Sequence, residues 1–230
     1  MMIDVSRREI KYKISPPEIS VLKKRLAPLM KCDRHNGTKG YLVRSLYFDT
    51  PFDTDYEDKA GGYNERQKIR LRLYDPEDDT AKLELKEKKG SVQRKRSLLL
   101  NRREAQQMIC GRYEFLKSRD EELALWLYTF MVRKCYRPRC IVEYDRFAYY
   151  LEHNETRVTF DTGLRSSEGN HDIFDKNLIL YPVRSVLENT LEVKFRGFLF
   201  TSVKNELNRF EGMPVSSSKY CQARRISKGI

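Results

Sequence analysis

The chain has 230 residues, of which 40% are hydrophobic, and its 45 Lys and Arg against 33 Asp and Glu give a net charge of +12. Because a chain of this length can bury a core as one unit, we predict a single domain over residues 1–230. The positive charge predicts an anionic partner: a phosphate chain, a nucleic acid or an acidic membrane surface. No apolar run is long enough for a membrane span or a signal sequence, so we expect a soluble protein.

The five cysteines, Cys32, Cys110, Cys135, Cys140 and Cys221, are odd in number and follow neither a CxxC nor a disulfide-framework spacing. A reducing, cytoplasmic environment is therefore expected. Cys135 and Cys140 with His153 lack a fourth ligand at zinc-finger spacing, so we do not predict a zinc finger.

Alternation of polar and apolar residues predicts strands along most of the chain, as in a large antiparallel sheet. The first strand, residues 8–14, places Glu9, Lys11 and Lys13 on one face. A short amphipathic helix begins at Pro16 and ends near Pro28. The following predicted strands cover residues 41–48, 68–73, 82–86 and 92–100, and residues 76–79 form the hairpin connection of the middle pair.

The second half of the chain is predicted to continue the sheet after a helical insert. Residues 102–134 have helical spacing, and Trp126 belongs to their apolar stripe. Strands are predicted at 139–151, at 157–161 and within 186–200, and the tail from residue 203 is predicted to be helical in part.

Cations recur on separate predicted strands, in phase wherever one strand carries two: Lys11, Arg70, Arg72, Lys86, Lys88, Lys95, Arg146 and Arg157. On any one strand such charges can simply be solvated on an outer face. Their repetition favours a cavity where an anionic ligand neutralises them. In a closed barrel one strand face lines the interior, so this pattern predicts a barrel with a basic lumen and helices over its apolar outer face.

Three carboxylates lie in phase with lysines on their own strands: Glu9 with Lys11, Glu84 with Lys86, and Glu192 with Lys194. They can be cross-strand ion-pair partners, and for Glu84 this interpretation is at least as good as any other. Beside a polyphosphate site they can also hold a divalent cation that bridges phosphate oxygens.

In their order and spacing, these segments resemble the polyphosphate polymerase (VTC) domain of the triphosphate tunnel metalloenzymes, in the CYTH-like superfamily. The resemblance covers nearly the whole chain. The segments that carry it are residues 9–12 (EIKY), 45–49 (SLYFD), 69–74 (IRLRLY), 84–86 (ELK), 144–146 (YDR), 157–161 (RVTFD), 191–194 (LEVK) and 218–220 (SKY).

The resemblance implies an α+β fold, an antiparallel β-barrel (the triphosphate tunnel) with helices packed outside. It implies an ATP-dependent polyphosphate polymerase, a phosphotransferase that moves the γ-phosphate of ATP onto a growing inorganic polyphosphate chain with Mn²⁺ or Mg²⁺. The implied partners are ATP and inorganic polyphosphate, without nucleic acid. A separate membrane partner and the oligomeric state are left open.

Site residues follow from the matched positions. The implied catalytic residues are Lys11, Arg70, Arg72, Lys86, Arg146, Arg157 and Glu192. The substrate- or phosphate-binding candidates are Lys59, Lys95, Tyr144, Lys194, Ser218 and Lys219, and a one-residue shift would put Arg94 or Arg96 in place of Lys95. The metal-binding candidates are Glu192 and Glu9.

Two departures from the family pattern bear on the activity. Ser216 stands where a further tunnel lysine is expected, and Arg7 occupies the first carboxylate position of the ExExK pattern of the hydrolytic relatives. The second departure favours a polymerase over the alternative, a tripolyphosphate or nucleoside triphosphate hydrolase. A non-catalytic polyanion-binding or RNA-binding module is the third hypothesis. Base stacking has weak support, because Tyr12 and Phe195 fall opposite the cations.

Overall fold

The computed structural model describes residues 7–90, 92–210 and 212–229. In these residues it has ten strands: β1 Arg7–Ile14, β2 Lys31–Cys32, β3 Tyr41–Asp49, β4 Glu65–Leu73, β5 Thr80–Lys89, β6 Val92–Asn101, β7 Arg137–Leu151, β8 Thr156–Ser167, β9 Tyr181–Pro182 and β10 Asn189–Arg196. The same residues form six α-helices: α1 Pro16–Leu26, α2 Thr54–Ala60, α3 Arg102–Ile109, α4 Glu122–Arg133, α5 Thr201–Asn208 and α6 Lys219–Ser227.

Hydrogen bonds join the strands in the order β1-β10-β8-β7-β3-β4-β5-β6, with β2 on β7 and β9 on β8. The pairs β1–β10, β10–β8, β3–β4, β4–β5 and β5–β6 are all antiparallel. The predicted α+β class with a large antiparallel sheet is therefore confirmed. Within the described residues the path ends at β1 and β6, and no pairing of these two strands closes it.

The chain divides into two compact units. The first unit comprises the described residues of Met1–Leu42, Tyr144–Leu164 and Pro182–Ser218. The second unit comprises the described residues of Val43–Glu143, Arg165–Tyr181 and Lys219–Ile230. That the whole chain forms one domain stays a prediction.

Helices cover the apolar strand face of the first unit. Helix α1 begins where the Ser15 backbone N–H donates to the Glu18 carboxylate at 2.7 Å and Pro16 takes the first helical position. With α5 it packs on the inward side chains of β1, β8 and β10. The core includes Ile14, Leu22, Leu26, Val158, Phe160, Leu191, Val193, Val203 and Leu207.

The second unit repeats this arrangement with α3 and α4. Asn101 caps helix α3, because its side chain accepts from the Glu104 N–H at 2.9 Å, and the chain turns at Gly111, where φ is 72°. The core side chains of β3 to β6 and of the helices include Leu46, Ile69, Leu71, Leu83, Leu85, Leu98, Ala105, Met108, Leu127 and Met131. Helices therefore lie on the apolar sheet face, as predicted, and leave the polar face of each unit to the charged residues.

Several boundaries differ from the sequence prediction. The predicted helical insert at 102–134 consists of α3, a 3₁₀ turn at Glu114–Ser118 and α4. Strand β8 continues past residue 161 to Ser167, and α2 was not predicted. None of the helices in the described part of the chain combines the length and the apolar character needed to cross a membrane.

Candidate functional site

The polar face of the second unit is rich in cations, and we call it the basic face. Its strands are in a register that puts Arg70 opposite both Tyr47 and Glu84, and Lys86 opposite both Lys68 and Lys95. Residues directly opposite each other share a sheet face. The basic face consists of Ser45, Tyr47, Lys68, Arg70, Arg72, Glu84, Lys86 and Lys95. The register therefore places Lys95 beside Lys86 and puts Arg94 and Arg96 on the other face.

Glu84 is the shared counter-ion of this face. Its carboxylate accepts from Arg70 Nε at 2.6 Å, lies 3.9 Å from an Arg72 nitrogen, and forms an ion pair with Lys95. Glu84 is only 1% exposed. Burial alone would raise the pKa of Glu84, but the charges of Arg70, Arg72 and Lys95 outweigh it and lower the pKa to about 2. Glu84 is thus the cross-strand ion-pair partner that its spacing allowed.

Tyr47 links the basic face to two helices, a role that sequence reasoning missed. Its hydroxyl accepts from Arg70 at 3.1 Å, and its ring stacks on Tyr220 with centroids 4.9 Å apart. The Tyr220 hydroxyl donates to Asp49 at 2.6 Å. Asp49 also accepts the Asp55 backbone N–H at 2.9 Å, which fixes the start of α2. Burial would raise the pKa of Tyr47, but the nearby charges of Arg70, Arg72 and Lys68 lower it.

Two more candidates lie on the helices that this link holds in place. Lys59 lies near the end of α2, and Lys219 is the first residue of α6, which begins one residue before Tyr220. Both side chains are half-buried. Ser218 precedes α6 in the chain and belongs to the first unit.

The polar face of the first unit pairs cations with carboxylates, and we call it the mixed face. It consists of Glu9, Lys11, Arg146, Arg157, Thr159, Asp161, Glu192 and Lys194. In the strand register Lys11 is opposite Glu192, Glu9 is opposite Lys194, and Thr159 is opposite Glu192.

Lys11 lies between two carboxylates. Its ammonium is 2.9 Å from Glu9 and 3.6 Å from Glu192, and it donates to the Ser217 carbonyl at 3.2 Å. Burial would lower the pKa of Lys11, but the charges of Glu192 and Glu9 outweigh it and raise the pKa. Lys194 forms ion pairs with the same two carboxylates. The four side chains thus make one alternating charge cluster.

Arg146 is held by Asp161 through two parallel bonds, 2.7 Å and 2.8 Å long. Its guanidinium carbon also lies 5.3 Å from the centre of the Tyr144 ring. Gly40 lets the chain approach this position: its φ is 101°, and a Cβ there would lie 2.4 Å from the Arg146 carbonyl oxygen. Burial would lower the pKa of Arg146, but Asp161 and the other nearby acidic groups raise it.

Arg157 is the more accessible arginine of the mixed face, with 41% of its side chain exposed. It donates to Asp33 at 2.5 Å and to the Tyr41 hydroxyl at 2.9 Å. His35 binds the other Asp33 oxygen at 2.8 Å. Asp33 and Asp161 were not among the sequence candidates, because a bare carboxylate gives no signal of its distant partner.

Metal binding fits the mixed face only if the ligand completes the coordination. Glu9 and Glu192 supply carboxylates, and Thr159 Oγ1 beside Glu192 is buried without a hydrogen-bond partner in the described chain. Hard divalent cations take oxygen ligands of this kind. Within residues 7–90, 92–210 and 212–229 no group of three or more His, Cys, Asp or Glu side chains could hold a metal ion. Phosphate oxygens and water would therefore have to complete the shell around Mn²⁺ or Mg²⁺.

Most of the predicted site residues thus fall on two faces, each built within one unit. Arg70, Arg72, Lys86 and Lys95 share the basic face, whereas Lys11, Arg146, Arg157, Glu192, Glu9 and Lys194 share the mixed face. Sequence reasoning missed Lys68, Tyr47, Asp33 and Asp161 as neighbours of these groups. Lys68 alternates in phase with Arg70, so that signal was present in the sequence. The roles of all these residues in binding or catalysis stay predictions.

The structure combines an antiparallel sheet with helices on its apolar face and charged residues on its polar face. Two solved structures share the fold. A putative adenylate cyclase from Bacillus halodurans aligns with a TM-score of 0.53 at 16% identity, over 93% of this chain and 93% of that one. The putative adenylyl cyclase HpAC1 from Hippeastrum, described as having a dominant triphosphatase activity, aligns with a TM-score of 0.55 at 15% identity, over 96% and 95%.

The family is shown by sequence. The model of the VTC domain family matches residues 6–228, and the chain belongs to that family. A search of curated protein sequences found no match. The resemblance stated from the sequence is thereby confirmed.

Proposed function

We propose that the protein is a metal-dependent polyphosphate polymerase that transfers the γ-phosphate of ATP onto a growing inorganic polyphosphate chain. The observation that carries the proposal is the register of the basic face, where Lys86 lies between Lys68 and Lys95. Like charges directly opposite each other destabilise a sheet. Such an arrangement favours a ligand with closely spaced negative charges, and membership of the VTC domain family supports a polyphosphate.

Phosphoryl transfer needs positioning and charge stabilisation more than a protein nucleophile. On the basic face, the Arg70 and Arg72 guanidinium groups would bind phosphate oxygens, each through two N–H donors. On the mixed face, Arg146 and Arg157 would exchange their carboxylate partners for phosphate oxygens. Glu192 and Glu9 would hold a divalent metal ion, which would supply positive charge beside the phosphates.

The reaction forms one bond and breaks one. An oxygen of the terminal phosphate of the chain attacks the γ-phosphorus in line, and the bond between that phosphorus and the β–γ bridging oxygen breaks. The electron pair leaves with ADP, and the chain grows by one phosphate. ATP and inorganic polyphosphate are thus the proposed ligands. We propose that the reaction takes place in the cytoplasm.

Hydrolysis is the second candidate, because attack by water on the same γ-phosphorus would release orthophosphate. The triphosphatase activity described for the Hippeastrum protein favours it. Against it stands Arg7, which leaves Glu9 and Lys11 as the remainder of the ExExK pattern. A non-catalytic polyanion-binding module is the third candidate.

The test is incubation of the purified chain with ATP and Mn²⁺ or Mg²⁺, followed by separation of long phosphate chains from orthophosphate. We expect chains that lengthen with time and that disappear in Glu192→Gln. Glu188→Gln is the matched control. It makes the same change at a half-exposed glutamate that also lies near a lysine, Lys13 at 3.7 Å, but is not a predicted site residue. Orthophosphate as the sole product would establish the hydrolase. If neither product forms, the polyanion-binding module is the remaining candidate.

A further inference from the structure

An open cavity of about 570 Å³ lies within the first unit, beside two phosphate-binding candidates. Arg157 and Lys194 form part of its lining. Its volume falls within the range of small-molecule sites, about 300–1,000 Å³. A triphosphate on these two cations would therefore have room beside it for a further chemical group.

The rest of the lining differs from a phosphate site. It includes the aromatic residues Tyr150 and His35 and the acidic residues Glu152 and Glu155. Lys31 binds Glu152 at 3.0 Å, and Arg196 lies 3.2 Å from Glu155, so ion pairs position both carboxylates. Carboxylates repel phosphate but accept hydrogen bonds from amino and hydroxyl groups. Aromatic rings offer faces on which a nucleobase can stack.

We infer that this cavity binds the nucleoside of the nucleoside triphosphate, with the phosphates directed to Arg157 and Lys194. The base would stack on Tyr150, and its amino group or the ribose hydroxyls would donate to Glu152 or Glu155. A polyphosphate chain in the same place would face these carboxylates and Asp33 instead. The inference rests on the proposed function for its substrate, and it names the part of the substrate that the first unit recognises.

The test compares two ligands that share the phosphates, ATP and inorganic tripolyphosphate, by titration calorimetry on the full chain. Removal of a base-stacking aromatic ring commonly costs about tenfold in affinity. In Tyr150→Ala we therefore expect the Kd for ATP to rise about tenfold, while the Kd for tripolyphosphate stays the same. Tyr181→Ala is the matched control, because Tyr181 is 66% exposed and does not line the cavity. It should change neither Kd.

A second variant keeps the test decisive if Tyr150→Ala does not fold. Glu152 is an exposed residue, 68% accessible at its side chain, so Glu152→Gln should leave the fold intact. We expect the affinity for ATP to fall a few-fold and the affinity for tripolyphosphate to stay the same or to rise slightly. Equal losses for both ligands, or no loss for ATP in either variant, would overturn the inference.

Binding without turnover separates this inference from the proposed function. If the wild-type chain makes no polyphosphate but the variants lose affinity for ATP and not for tripolyphosphate, the nucleoside site is supported and the polymerase is not. If polyphosphate forms and ATP affinity does not respond to either variant, the polymerase stands and the nucleoside site does not.

Discussion

The two polar faces handle their positive charge differently. On the mixed face carboxylates alternate with the cations, so that Lys11 and Lys194 share Glu9 and Glu192, and Arg146 has Asp161. On the basic face Arg70, Arg72 and Lys95 share the carboxylate of Glu84, and three lysines are aligned across β4, β5 and β6. Cations and carboxylates nearly balance on the mixed face without a ligand. Cations outnumber carboxylates on the basic face, so a bound anion should stabilise the basic face more.

This difference predicts that removal of a charge affects the two faces differently. Removal of a carboxylate from the mixed face leaves a buried cation without its partner. Removal of a cation from the centre of the basic face relieves repulsion between like charges.

Asp161→Asn should have the largest effect on stability. Asp161 is fully buried and Arg146 nearly so, with 0% and 13% of their side chains exposed. Breaking a buried pair by removing one partner costs about 3–5 kcal/mol. Urea unfolding of the variant should show this loss, and inorganic tripolyphosphate should recover part of it by giving Arg146 a new partner.

The control for Asp161→Asn is Glu152→Gln, which breaks the exposed pair with Lys31. Exposed pairs contribute about 0–1 kcal/mol, so the control should unfold almost like the wild type. A small loss in both variants would show that the mixed face does not depend on internal pairing.

Glu84 should give the basic face an acid-sensitive stability. Its pKa is lowered from the reference value of 4.5 to about 2 in the folded chain, which corresponds to about 3 kcal/mol at most. Because the folded pKa is the lower one, this contribution is present above pH 4.5 and is lost as the pH falls towards 2. Unfolding titrations of wild type and Glu84→Gln should converge across that window, and parallel curves would contradict the lowered pKa.

Arg70→Ala should reduce activity more than stability. Arg70 binds Glu84 and Tyr47 in the structure and is proposed to bind phosphate. Loss of one donor that stabilises developing charge costs about a hundredfold or more in rate, roughly 2.7 kcal/mol. The measurement is the initial rate of ATP turnover at saturating ATP, with circular dichroism to confirm folding.

Arg94→Ala is the control for Arg70→Ala, because Arg94 is exposed and lies on the other face of β6. It should turn over ATP at the wild-type rate. Normal turnover by Arg70→Ala itself would remove the basic face from the proposed site.

The local alternation of polar and apolar residues predicted much of the fold and of the basic face. Alternation has a period of two residues, so Arg70, Arg72 and Glu84 could be assigned to one face without knowledge of their neighbours. The choice between Lys95 and its neighbours could not be made in this way, because it depends on the register between β5 and β6. The structure sets that register by pairing Lys86 with Lys95.

Long-range partners could not be predicted from the sequence. Asp33 is 124 residues from Arg157, and Asp49 is 171 residues from Tyr220. Helix α2 was missed for a local reason, because Asp49 accepts the N–H groups of Asp55 and Tyr56 from outside the usual capping position. Asp53, directly before α2, has a left-handed φ of 55°. Short polar residues tolerate this conformation, but no sequence pattern predicts it.

Lys86→Met should give the smallest change in stability. Because Lys86 lies opposite Lys68 and Lys95, removal of its charge relieves like-charge repulsion of about 0.2–1 kcal/mol, so the ligand-free chain should lose little stability while tripolyphosphate binding weakens. Lys11→Met on the mixed face should cost more stability, because Glu9 and Glu192 lose the cation between them. Thermal unfolding of the two variants without ligand makes the comparison. An equal loss of stability in both would mean that the basic face is balanced internally, and its need for a polyanion would no longer follow from its register.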